Sequence, residues 1–594
     1  MFSKILIANR GEIALRIVRA CEELGVASVA VYSELDRDAP HVLRADEAYL
    51  LGPGPASESY LNVEKLLEVI ERCGADAVHP GYGFLAENAG FAATLEQHGI
   101  TFIGPSAAAI DAMGSKTKAR ELMAAAGVPI VPGTTEPVDS VEDARRIIAE
   151  SIGFPVAVKA AGGGGGKGFR VALTQDELQD AFEGAAREGE KFFADATVYL
   201  ERYLPDPRHV EVQILADKHG SVIYLGERDC SLQRRHQKLI EEAPAPAVAA
   251  IPGLREKIGK IGVDAAAAVN YSGAGTIEGL LQDGEYFFLE MNTRVQVEHC
   301  VTEMVTGIDI VKEGIRVAAG QPLAYTQDDV VLRGHAIECR INAEDASKNF
   351  APAPGKISNY REPTGPGVRV DSGVGPGAEV SPMYDPMIGK LIVWDADREQ
   401  ATRRMIRALR EYEIGELKTL LPFHEAILQT PQWANAETCR DLIEDRAWLK
   451  ALAFPKAEKP ADGEAPKVEQ DYTVEVSGKR FDVKVIGPAA AGVGVQAASA
   501  GHAAPKRSER KASSSNGAAG DTLTTPLQGT VFKVVVEQGA TVEEGALICV
   551  IEAMKMENEI TAHKAGIVSE LPVTVGASVS VGDLLAVITT PPAS

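Results

Sequence analysis

The sequence predicts a multidomain α/β protein that begins with a doubly wound parallel sheet and ends in a small, flattened all-β barrel. Three observations lead to this fold class. Strands and amphipathic helices alternate through the first hundred residues, glycine-rich loops and antiparallel strands fill the middle, and the last seventy residues contain a repeat. The length of 594 residues corresponds to about four domains of average size.

The N-terminal domain is predicted over residues 1–113 from its alternation of strands and helices. No Gly-x-Gly-x-x-Gly motif follows the first strand, so a dinucleotide site is not supported. Strands are predicted at residues 5–8, 26–32 and 75–79, with helices at 12–24 and 61–72.

Changes in amino-acid composition along the chain predict the remaining domain boundaries. A glycine-rich block (114–330) is followed by a block that ends in a basic helix (331–449) and by a segment with a hairpin at 472–485 (450–486). Residues 487–520 are mostly Ala, Gly, Ser and Pro with a small basic cluster (Lys506, Arg507, Arg510, Lys511), and they lack aromatic side chains, so we interpret them as a flexible tether. The barrel is predicted over 521–590.

Composition and charge exclude several classes of protein. Hydrophobic residues make up 45% of the chain and charged residues 24%, as in an ordinary globular protein. A net charge of −24 disfavours nucleic-acid or anionic-membrane binding, and no apolar run is long enough to span a bilayer. The seven cysteines are scattered and no signal peptide is recognised. We therefore expect a cytoplasmic protein with reduced thiols.

The C-terminal repeat has an offset of 37 residues: Gly529, Gly539 and Gly545 recur as Gly566, Gly576 and Gly582. Two copies of a β unit that cannot bury its apolar face alone should pair with pseudo-twofold symmetry. The segment that joins them contains Met554-Lys555-Met556, which symmetry places at a hairpin turn away from the barrel. Exposed methionines there suit a docking surface around a modified lysine. Lys555 is therefore the predicted attachment point of a prosthetic group.

A glycine-rich loop in the middle of the chain is suited to polyphosphate. An apolar strand that ends in Lys159 leads into five consecutive glycines, whose backbone N–H groups can surround an anion. Lys116 lies in another segment and could hold a second phosphate. The glycines are Gly162, Gly163, Gly164, Gly165 and Gly166.

Glu278 and Glu290 lie in otherwise apolar strands on either side of an Asp283-Gly284 turn. Buried acids need a counter-charge, and Mg²⁺ takes oxygen ligands. A plain two-residue turn would place the two carboxylates on opposite faces of the hairpin. We therefore predict a bulge or a three-residue loop, so that residues whose numbers sum to 568 are paired.

Arg294, Gln296 and Glu298 occupy alternate positions directly after this hairpin. In an extended segment they would point the same way and form a cradle for a small oxyanion, with Glu298 placed to take its proton. Upstream, residues 229–238 concentrate hydrogen-bond donors that could bind phosphate or ribose oxygens, among them Gln233, His236 and Lys238.

Together these motifs resemble the ATP-grasp biotin carboxylase family, joined to the biotinyl domain of biotin-dependent carboxylases. The correspondence runs from residues 9–12 to about Lys418, through His209 and residues 338–345, and resumes in the repeat. The resemblance implies an ATP-grasp domain with a glycine-rich lid, an α+β C-terminal carboxylase domain and a biotinyl barrel. Two departures are Cys300, where the family usually has proline, and Gly279, where a bulky residue is common. We expect Gly279 to loosen the hairpin and Cys300 to place an oxidisable thiol near the cradle.

The resemblance also implies ligands: covalent biotin, ATP, bicarbonate as substrate, and Mg²⁺ or Mn²⁺. For the nucleotide, the resemblance implies that the phosphates are held by Lys116, Lys159, His236 and the glycine lid, that adenine is contacted by Glu201 and Leu204, and that His209 and Gln233 complete the cofactor site. The implied metal ligands are Glu278, Glu290 and Asn292. The implied bicarbonate site consists of Arg294, Gln296, Val297 (backbone) and Lys238, with Glu298 as the base, and Arg340 stabilises an enolate-like biotin oxygen.

No second enzyme domain follows the carboxylase half, so a partner chain is expected to accept the carboxyl group. The layout resembles the α chain of acyl-CoA carboxylases. This resemblance implies a hetero-oligomer with a carboxyltransferase β subunit, and a biotin protein ligase as a further partner. A non-CoA acceptor such as pyruvate, a non-catalytic carrier scaffold, and lipoylation in place of biotin are the alternatives. The segment at 450–486 is a candidate contact with the partner.

Overall fold

A computed structural model of the chain describes residues 1–134, 136–164, 167–193, 196–452, 467–476, 479–488, 521–525, 529–553, 556–579 and 582–589. Within these ranges only the backbone is described for residues 116–117, 161–164, 167–168, 191–193, 467–476, 479–488, 552–553, 556–558 and 578. Most of the predicted tether, together with Met554 and Lys555, lies outside the described residues.

The N-terminal sheet is parallel, as predicted, and helices cover both of its faces. Its elements are β1 (Lys4–Ile7), α1 (Gly11–Leu24), β2 (Ala27–Ser33), α2 (Pro40–Arg44), β3 (Glu47–Gly52), α3 (Val63–Cys73), β4 (Ala77–His79), α4 (Ala89–Gln97), β5 (Thr101–Phe102) and α5 (Ala107–Gly114). The strand order is β3-β2-β1-β4-β5. Ile5 and Ile7 enter one hydrophobic core, and Leu6 and Ala8 enter the other. This alternation is the doubly wound arrangement.

A small antiparallel sheet with helices follows the N-terminal domain. Its elements are α6 (Lys116–Ala125), α7 (Val141–Ile147), β6 (Val156–Gly164), β7 (Lys167–Ala172), α8 (Leu178–Phe193) and β8 (Val198–Arg202). The strand order is β7-β6-β8, and Val156, Val158 and Leu200 form the core with helix α8. Gly164 pairs with Lys167, so the glycine run connects β6 to β7.

An eight-stranded antiparallel sheet forms the centre of the carboxylase half. The elements of this part of the chain are β9 (Arg208–Ala216), β10 (Val222–Arg234), β11 (Gln237–Ala243), α9 (Pro246–Ala249), α10 (Leu254–Ala268), β12 (Gly273–Gln282), β13 (Glu285–Asn292), α11 (His299–Thr306), α12 (Ile310–Ala318), β14 (His335–Asn342), β15 (Glu344–Asp345), β16 (Ala351–Pro352), β17 (Gly355–Lys356), β18 (Tyr360–Arg361), β19 (Val368–Ser372), β20 (Glu379–Val380) and β21 (Met387–Asp395). The strand order is β13-β12-β9-β10-β11-β14-β21-β19. Because β11 pairs with β14, the predicted boundary at residue 330 separates two halves of one continuous sheet.

Helices of the third block cover the far end of this sheet. They are α13 (Arg398–Glu411), α14 (Leu421–Leu428), α15 (Pro431–Ala434), α16 (Arg440–Glu444) and α17 (Arg446–Ala451), with the short strand β22 (Glu413–Ile414) after α13. Met405 and Leu409 of α13 pack against Leu391 and Val393 of β21. None of the helices in the described ranges combines the length and the hydrophobicity of a transmembrane segment.

The predicted hairpin is formed by β23 (Lys467–Val476) and β24 (Lys479–Pro488), with Tyr472 paired to Val483. The barrel that follows consists of two four-stranded sheets with the orders β25-β32-β30-β27 and β29-β28-β26-β31. In chain order, the strands of the two sheets are β25 (Thr522–Thr524), β26 (Gly529–Val534), β27 (Thr541–Val542), β28 (Leu547–Ala553), β29 (Met556–Thr561), β30 (Gly566–Glu570), β31 (Ser578–Val579) and β32 (Leu584–Thr589).

The barrel confirms the predicted pseudo-twofold repeat. Strands β26, β27 and β28 start 37 residues before β30, β31 and β32. Each sheet combines strands of one copy with the short strand of the other, so neither copy could bury its apolar face alone. Gly539 and Gly576 occupy equivalent turns with φ of 93° and 86°, a conformation that favours glycine.

Candidate active site

Lys159 and Glu201 face each other on neighbouring strands of the small sheet. The Lys159 ammonium donates a short hydrogen bond to Glu201, and Arg120 lies 3.6 Å from the other oxygen of the same carboxylate. A cation on the strand that leads into the glycine run can contact an anionic ligand. Lys116 begins α6, but its side chain lies outside the description, as do Gly165 and Gly166.

Leu204 lies close to this charged group in a small apolar cluster. Its side chain packs against Val131 and Phe287, and Leu280 adds partly buried surface. An apolar wall beside charged groups is typical of a site that binds a flat, mostly apolar ring. The predicted adenine-contacting residues Glu201 and Leu204 therefore lie on suitable surfaces.

Glu278 and Glu290 lie directly opposite each other on the hairpin of β12 and β13. This is the predicted register, whose paired residue numbers sum to 568. A bulge between Glu278 and Gly279 produces it, since Gly279 pairs with Phe288. Directly opposed residues of an antiparallel pair lie on the same face of the sheet, so both carboxylates face one side.

Four side chains converge on the buried carboxylate of Glu278. The His209 Nε2 atom lies 2.8 Å away, and Lys238, Asn292 and Gln296 donate at 2.9, 2.7 and 2.6 Å. Burial alone would raise the pKa of Glu278, but Lys238 and His209 outweigh it and hold the pKa well below its usual range. Glu278 is therefore ionised near neutral pH.

The Glu278, Glu290 and Asn292 set fits a hard divalent cation. It offers two carboxylates on one face and an amide oxygen, which are ligands that Mg²⁺ and Mn²⁺ accept. A second group of potential ligand atoms, from His209, Glu211 and Glu278, lies within 4.8 Å of one another. Lys238 contacts both acids of that second group, so we interpret it as an ion-pair network.

Glu298 is held between two cations at the centre of the site. Its Oε1 accepts a hydrogen bond from Lys238 at 2.6 Å, and its Oε2 accepts one from Arg340 at 2.9 Å. Lys238 is on β11 and Arg340 is on β14, two neighbouring strands of the central sheet. Glu298 precedes α11 and is 2% exposed, so water is largely excluded from its carboxylate.

Neighbouring charges affect the pKa of the Glu298 carboxylate more than burial does. Burial would raise the pKa of Glu298, but Lys238, Arg340 and Arg228 together lower it well below the usual range. Glu241 accepts the Nε–H of Arg340 at 2.6 Å, and burial raises the pKa of Glu241. Arg340 thus contacts both Glu298, which is ionised, and Glu241, which is harder to ionise.

Arg294 and Gln296 join the same network from the segment before α11. Arg294 donates to Asn292 Oδ1 at 2.9 Å, and Gln296 donates to Glu278. The segment was predicted to be extended, but residues 297–298 form a turn that starts the helix. The Val297 carbonyl accepts from the buried Lys390 ammonium at 2.7 Å, which fixes this turn.

Gln233 and His236 lie at the hairpin that joins β10 to β11. Gln233 pairs with Lys238, and Arg235 and His236 form a two-residue loop with φ of 48° and 65°. The predicted ligand-binding residues Gln233 and His236 are therefore close to Lys238 along the same pair of strands. The sites at Lys238 and at His236 are thus parts of one hairpin.

Several residues of the network were not predicted from the sequence. Arg228 is fully buried and contacts Glu211, Gln213 and Gln296, while Glu87 of the N-terminal domain accepts from Arg294 at 2.9 Å. Glu211 stands two residues after His209 on β9, so a period of two places both on one face. That alternation is the signal that could have identified Glu211.

The expectation about Gly279 is wrong, whereas Cys300 does lie near the cradle, 3.8 Å from the Val297 carbonyl, but in surroundings that do not favour oxidation. A Cβ at position 279 would collide with the ring of Tyr286, so Gly279 makes room for a packed aromatic side chain and does not loosen the hairpin. Cys300 is fully buried between Asp371 (3.2 Å) and Lys390 (3.1 Å), and burial raises the pKa of its thiol well above the usual range. A buried, protonated thiol is poorly reactive.

Four protein families match successive parts of the chain. They are described as "Biotin carboxylase, N-terminal domain" (residues 1–110), "Carbamoyl-phosphate synthase L chain, ATP binding domain" (115–326), "Biotin carboxylase C-terminal domain" (338–445) and "Biotin-requiring enzyme" (521–588). The matches follow the same order as the predicted carboxylase half and barrel.

Individual relatives agree with these families. The chain is 45% identical over 590 residues to the biotin-dependent acyl-coenzyme A carboxylase alpha3 subunit of Mycobacterium leprae, covering 98% of both chains. It is 54% identical over 445 residues to one of the pyruvate carboxylase subunits of Methanothermobacter thermautotrophicus, a match that covers 75% of this chain and 90% of that one.

Among solved structures, the biotin carboxylase domain of Hydrogenobacter thermophilus 2-oxoglutarate carboxylase, in complex with MgADP, ADP and bicarbonate, is 47% identical with a TM-score of 0.67. It covers 77% of this chain and 100% of that chain. The chain therefore belongs to the biotin-dependent carboxylases, and it carries the biotin carboxylase and the biotin-requiring domain of that family in one polypeptide.

Proposed function

We propose that this protein carboxylates its own biotin, bound at Lys555, with ATP and bicarbonate, and passes the carboxyl group to a separate chain. That chain would be a carboxyltransferase acting on an acyl-CoA. The single observation that carries the proposal is Glu298 ionised between Lys238 and Arg340, on a chain that also contains a biotin-requiring domain. The geometry suits the handling of small anions and of one proton.

Bicarbonate binding would use the cations around Glu298. Arg294, Gln296 and Lys238, with the backbone of Val297, would hold the anion, and Glu298 would take its proton. At rest, Lys238 and Arg340 keep the pKa of Glu298 low, which makes it a weak base. A bound anion would share both cations, so the Glu298 pKa would rise as the substrate arrives.

Arg340 would face the oxygen of the biotin ring on which negative charge develops. A fixed cation placed before the reaction stabilises such charge without reorganisation. The hydrogen bond to Glu241 fixes the guanidinium from its other side. The Arg340 role therefore depends on a neighbour that contacts no substrate.

The nucleotide would lie between the small sheet and the metal hairpin. Lys116, Lys159, His236 and the glycine run would contact its phosphates, His209 and Gln233 would support them, and Glu201 and Leu204 would contact adenine. Glu278, Glu290 and Asn292 would hold Mg²⁺ or Mn²⁺, which neutralises charge on the transferring phosphoryl group. Burial of Glu298 and its neighbours would keep water from competing with the acceptor.

Two relatives support the choice of acceptor. The acyl-CoA assignment is supported by the relative that matches 98% of this chain. Pyruvate is the second candidate, because a pyruvate carboxylase subunit is 54% identical over the carboxylase half. A biotin protein ligase would modify Lys555, the two kinds of chain would form a hetero-oligomer, and the buried free cysteines are compatible with the proposed cytoplasmic location.

The test uses the complex isolated from the cells that make this protein. We expect ATP hydrolysis that requires bicarbonate and is stimulated by free biotin, and carboxylation of acetyl-CoA or propionyl-CoA by the copurified complex. Carboxylation of pyruvate alone would select the second candidate. A non-catalytic scaffold would hydrolyse no ATP under these conditions.

The prosthetic group is tested separately. An avidin blot should detect the wild-type chain and not the Lys555→Ala variant. A lipoyl group on Lys555 in the mass spectrum would overturn the biotin assignment.

A further inference from the structure

The barrel contacts the carboxylase half through an acidic side chain, Glu559 of β29. Its carboxylate lies 3.1 Å from Arg235 and 4.0 Å from Arg446, and Asn349 donates to it at 3.5 Å. These three partners come from three distant parts of the chain. We call these three residues, Arg235, Asn349 and Arg446, the Glu559 platform, because they contact Glu559.

Two tight loops carry Arg235 and Asn349 of this platform, and Arg446 begins α17. Arg235 belongs to the two-residue loop of the β10–β11 hairpin, and Asn349 with Phe350 forms a second loop in which both residues have φ of 59°. Left-handed backbone at residues other than glycine costs about 1–2 kcal/mol per residue. Strained conformations of this kind are kept where the surrounding structure over-determines them, often at binding sites.

Arg234 connects the two loops into one rigid surface. Its guanidinium donates to Asn349 at 2.9 Å and lies 4.7 Å from the centre of the Phe350 ring. Phe350 in turn packs edge-on against Phe423, with ring centres 5.1 Å apart. The platform is therefore supported from the hydrophobic core beneath it.

The Arg235–Glu559 contact lies close, along the chain, to Lys238 in the carboxylase half and to Lys555 in the barrel. Arg235 precedes Lys238, which donates to Glu298 of the cradle, by three residues of the same hairpin, a distance of about 10 Å in extended chain. On the barrel, Glu559 follows Lys555 by four residues, which can span at most about 14 Å. A contact at Glu559 thus brings the modified lysine near the hairpin that carries Lys238.

Charge at the contact itself favours the same pairing, although both parts of the chain are acidic overall. Residues 521–590 contain nine acidic and three basic residues, and modification of Lys555 would remove one of the three positive charges. An acidic barrel approaching Arg235 and Arg446 is attracted over a distance of about 10 Å at ordinary salt. The pairs remain partly exposed, so the contact can form and break repeatedly.

We propose that the Glu559 platform is the docking surface for this protein's own biotinyl barrel, with Glu559 as the anchoring residue. The inference rests on the proposed function, since docking matters only if biotin on Lys555 is carboxylated in the cradle. Docking would position the barrel for the first half-reaction, and release would free it for the partner chain. Glu559 is then a positioning residue, which contacts no reacting atom.

The test compares two acceptors in the full-length, biotinylated protein. Glu559→Lys should slow labelling of the tethered biotin by ¹⁴C-bicarbonate by about fivefold or more, because a like-charge pair replaces an ion pair. Hydrolysis of ATP driven by free biotin should stay at the wild-type rate, because free biotin needs no docking. Glu570→Lys, an exposed glutamate elsewhere on the barrel, is the matched control.

A second variant guards against a defect in biotinylation. Arg446→Glu leaves the barrel unchanged and should give a smaller loss, because Arg446 lies 4.0 Å from Glu559, and combining it with Glu559→Lys should restore part of the rate. Wild-type labelling of tethered biotin in Glu559→Lys would overturn the docking proposal. A wild-type protein that hydrolyses no ATP with free biotin and bicarbonate would instead overturn the proposed function.

Discussion

At the scale of single residues, Glu298 is an acid whose surroundings oppose its proposed role until substrate is present. Two cations hold its carboxylate ionised, and an ionised acid with a low pKa attracts protons weakly. The charges of this network nearly balance, because the cations Lys238, Arg228 and Arg340 face the carboxylates of Glu211, Glu278 and Glu298. A bound anion would disturb this balance, so base strength would depend on occupancy of the site.

Glu298→Gln should lower bicarbonate-dependent ATP hydrolysis by about 10²–10⁴-fold, the usual contribution of a general base. Binding of a fluorescent ATP analogue should stay close to wild type, because Glu298 is proposed to contact bicarbonate and not the nucleotide. Glu256→Gln, at an exposed position on α10, serves as the control. Turnover in Glu298→Gln at the wild-type rate would remove the base assignment.

Glu344 gives a prediction about pH and stability. Burial and the nearby Asp385 raise the pKa of Glu344 to about 7. The folded state therefore binds this proton more tightly than the unfolded state, whose glutamates titrate at about pH 4.3. The stabilisation is complete below about pH 4.3 and is lost as the pH rises through about 7.

Glu344→Gln should become more stable relative to wild type between pH 5 and pH 8, by about 2–3 kcal/mol. Thermal melting of both proteins at the two pH values measures this difference. Glu379→Gln, at an exposed glutamate, should show none of it. Equal pH dependence in Glu344→Gln and wild type would contradict the raised pKa.

At the scale of elements, the bulge at Gly279 decides where the metal ligands point. It shifts the register by one residue and brings Glu290 to the same face as Glu278. The ring of Tyr286 fills the space where a side chain at 279 would lie, and its hydroxyl donates to the Ile277 carbonyl at 3.2 Å. The hairpin is therefore fixed by an aromatic side chain that is not among the proposed metal ligands.

Gly279→Ala should force Tyr286 to move and destabilise the protein by about 1–3 kcal/mol, as overpacking does. We also expect a higher Mg²⁺ concentration for half-maximal ATP hydrolysis, because the carboxylates would lose their common face. Gly314→Ala in α12 is the control, since a Cβ there meets nothing within 4 Å. An unchanged melting temperature and Mg²⁺ requirement in Gly279→Ala would argue against this role for the ring.

Local pattern predicted the elements that have a clear period and left out those that do not. The apolar run at residues 5–8 predicted the first strand, whereas β3 and β5 were missed because one has no regular alternation and the other has two residues. The metal-hairpin register was predicted from chemistry, since two acids must share a face. Glu241 was missed because its partner Arg340 is 99 residues away, a separation that pattern cannot bridge.

At the scale of the whole molecule, the hairpin of β23 and β24 lies between the two functional halves of the chain. We propose it as part of the contact with the carboxyltransferase. Deleting residues 467–488 should abolish copurification of that partner, while ATP hydrolysis with free biotin persists. Deleting the same number of residues from the tether, 492–513, should leave copurification intact. Unchanged assembly after the first deletion would exclude the hairpin from the contact.

The pairing of β11 with β14 also constrains how this protein can be recombined with its relatives. Lys238 and Arg340 grip the same carboxylate from strands that become neighbours only through that pairing. A chimera joined at residue 330 would take β11 from one protein and β14 from another. Any mismatch between the two strands would change the distances from Glu298 to Lys238 and to Arg340. Exchange of residues 1–452 as one block would keep the β11–β14 pairing intact, so the block to exchange is larger than any one of the matched family ranges.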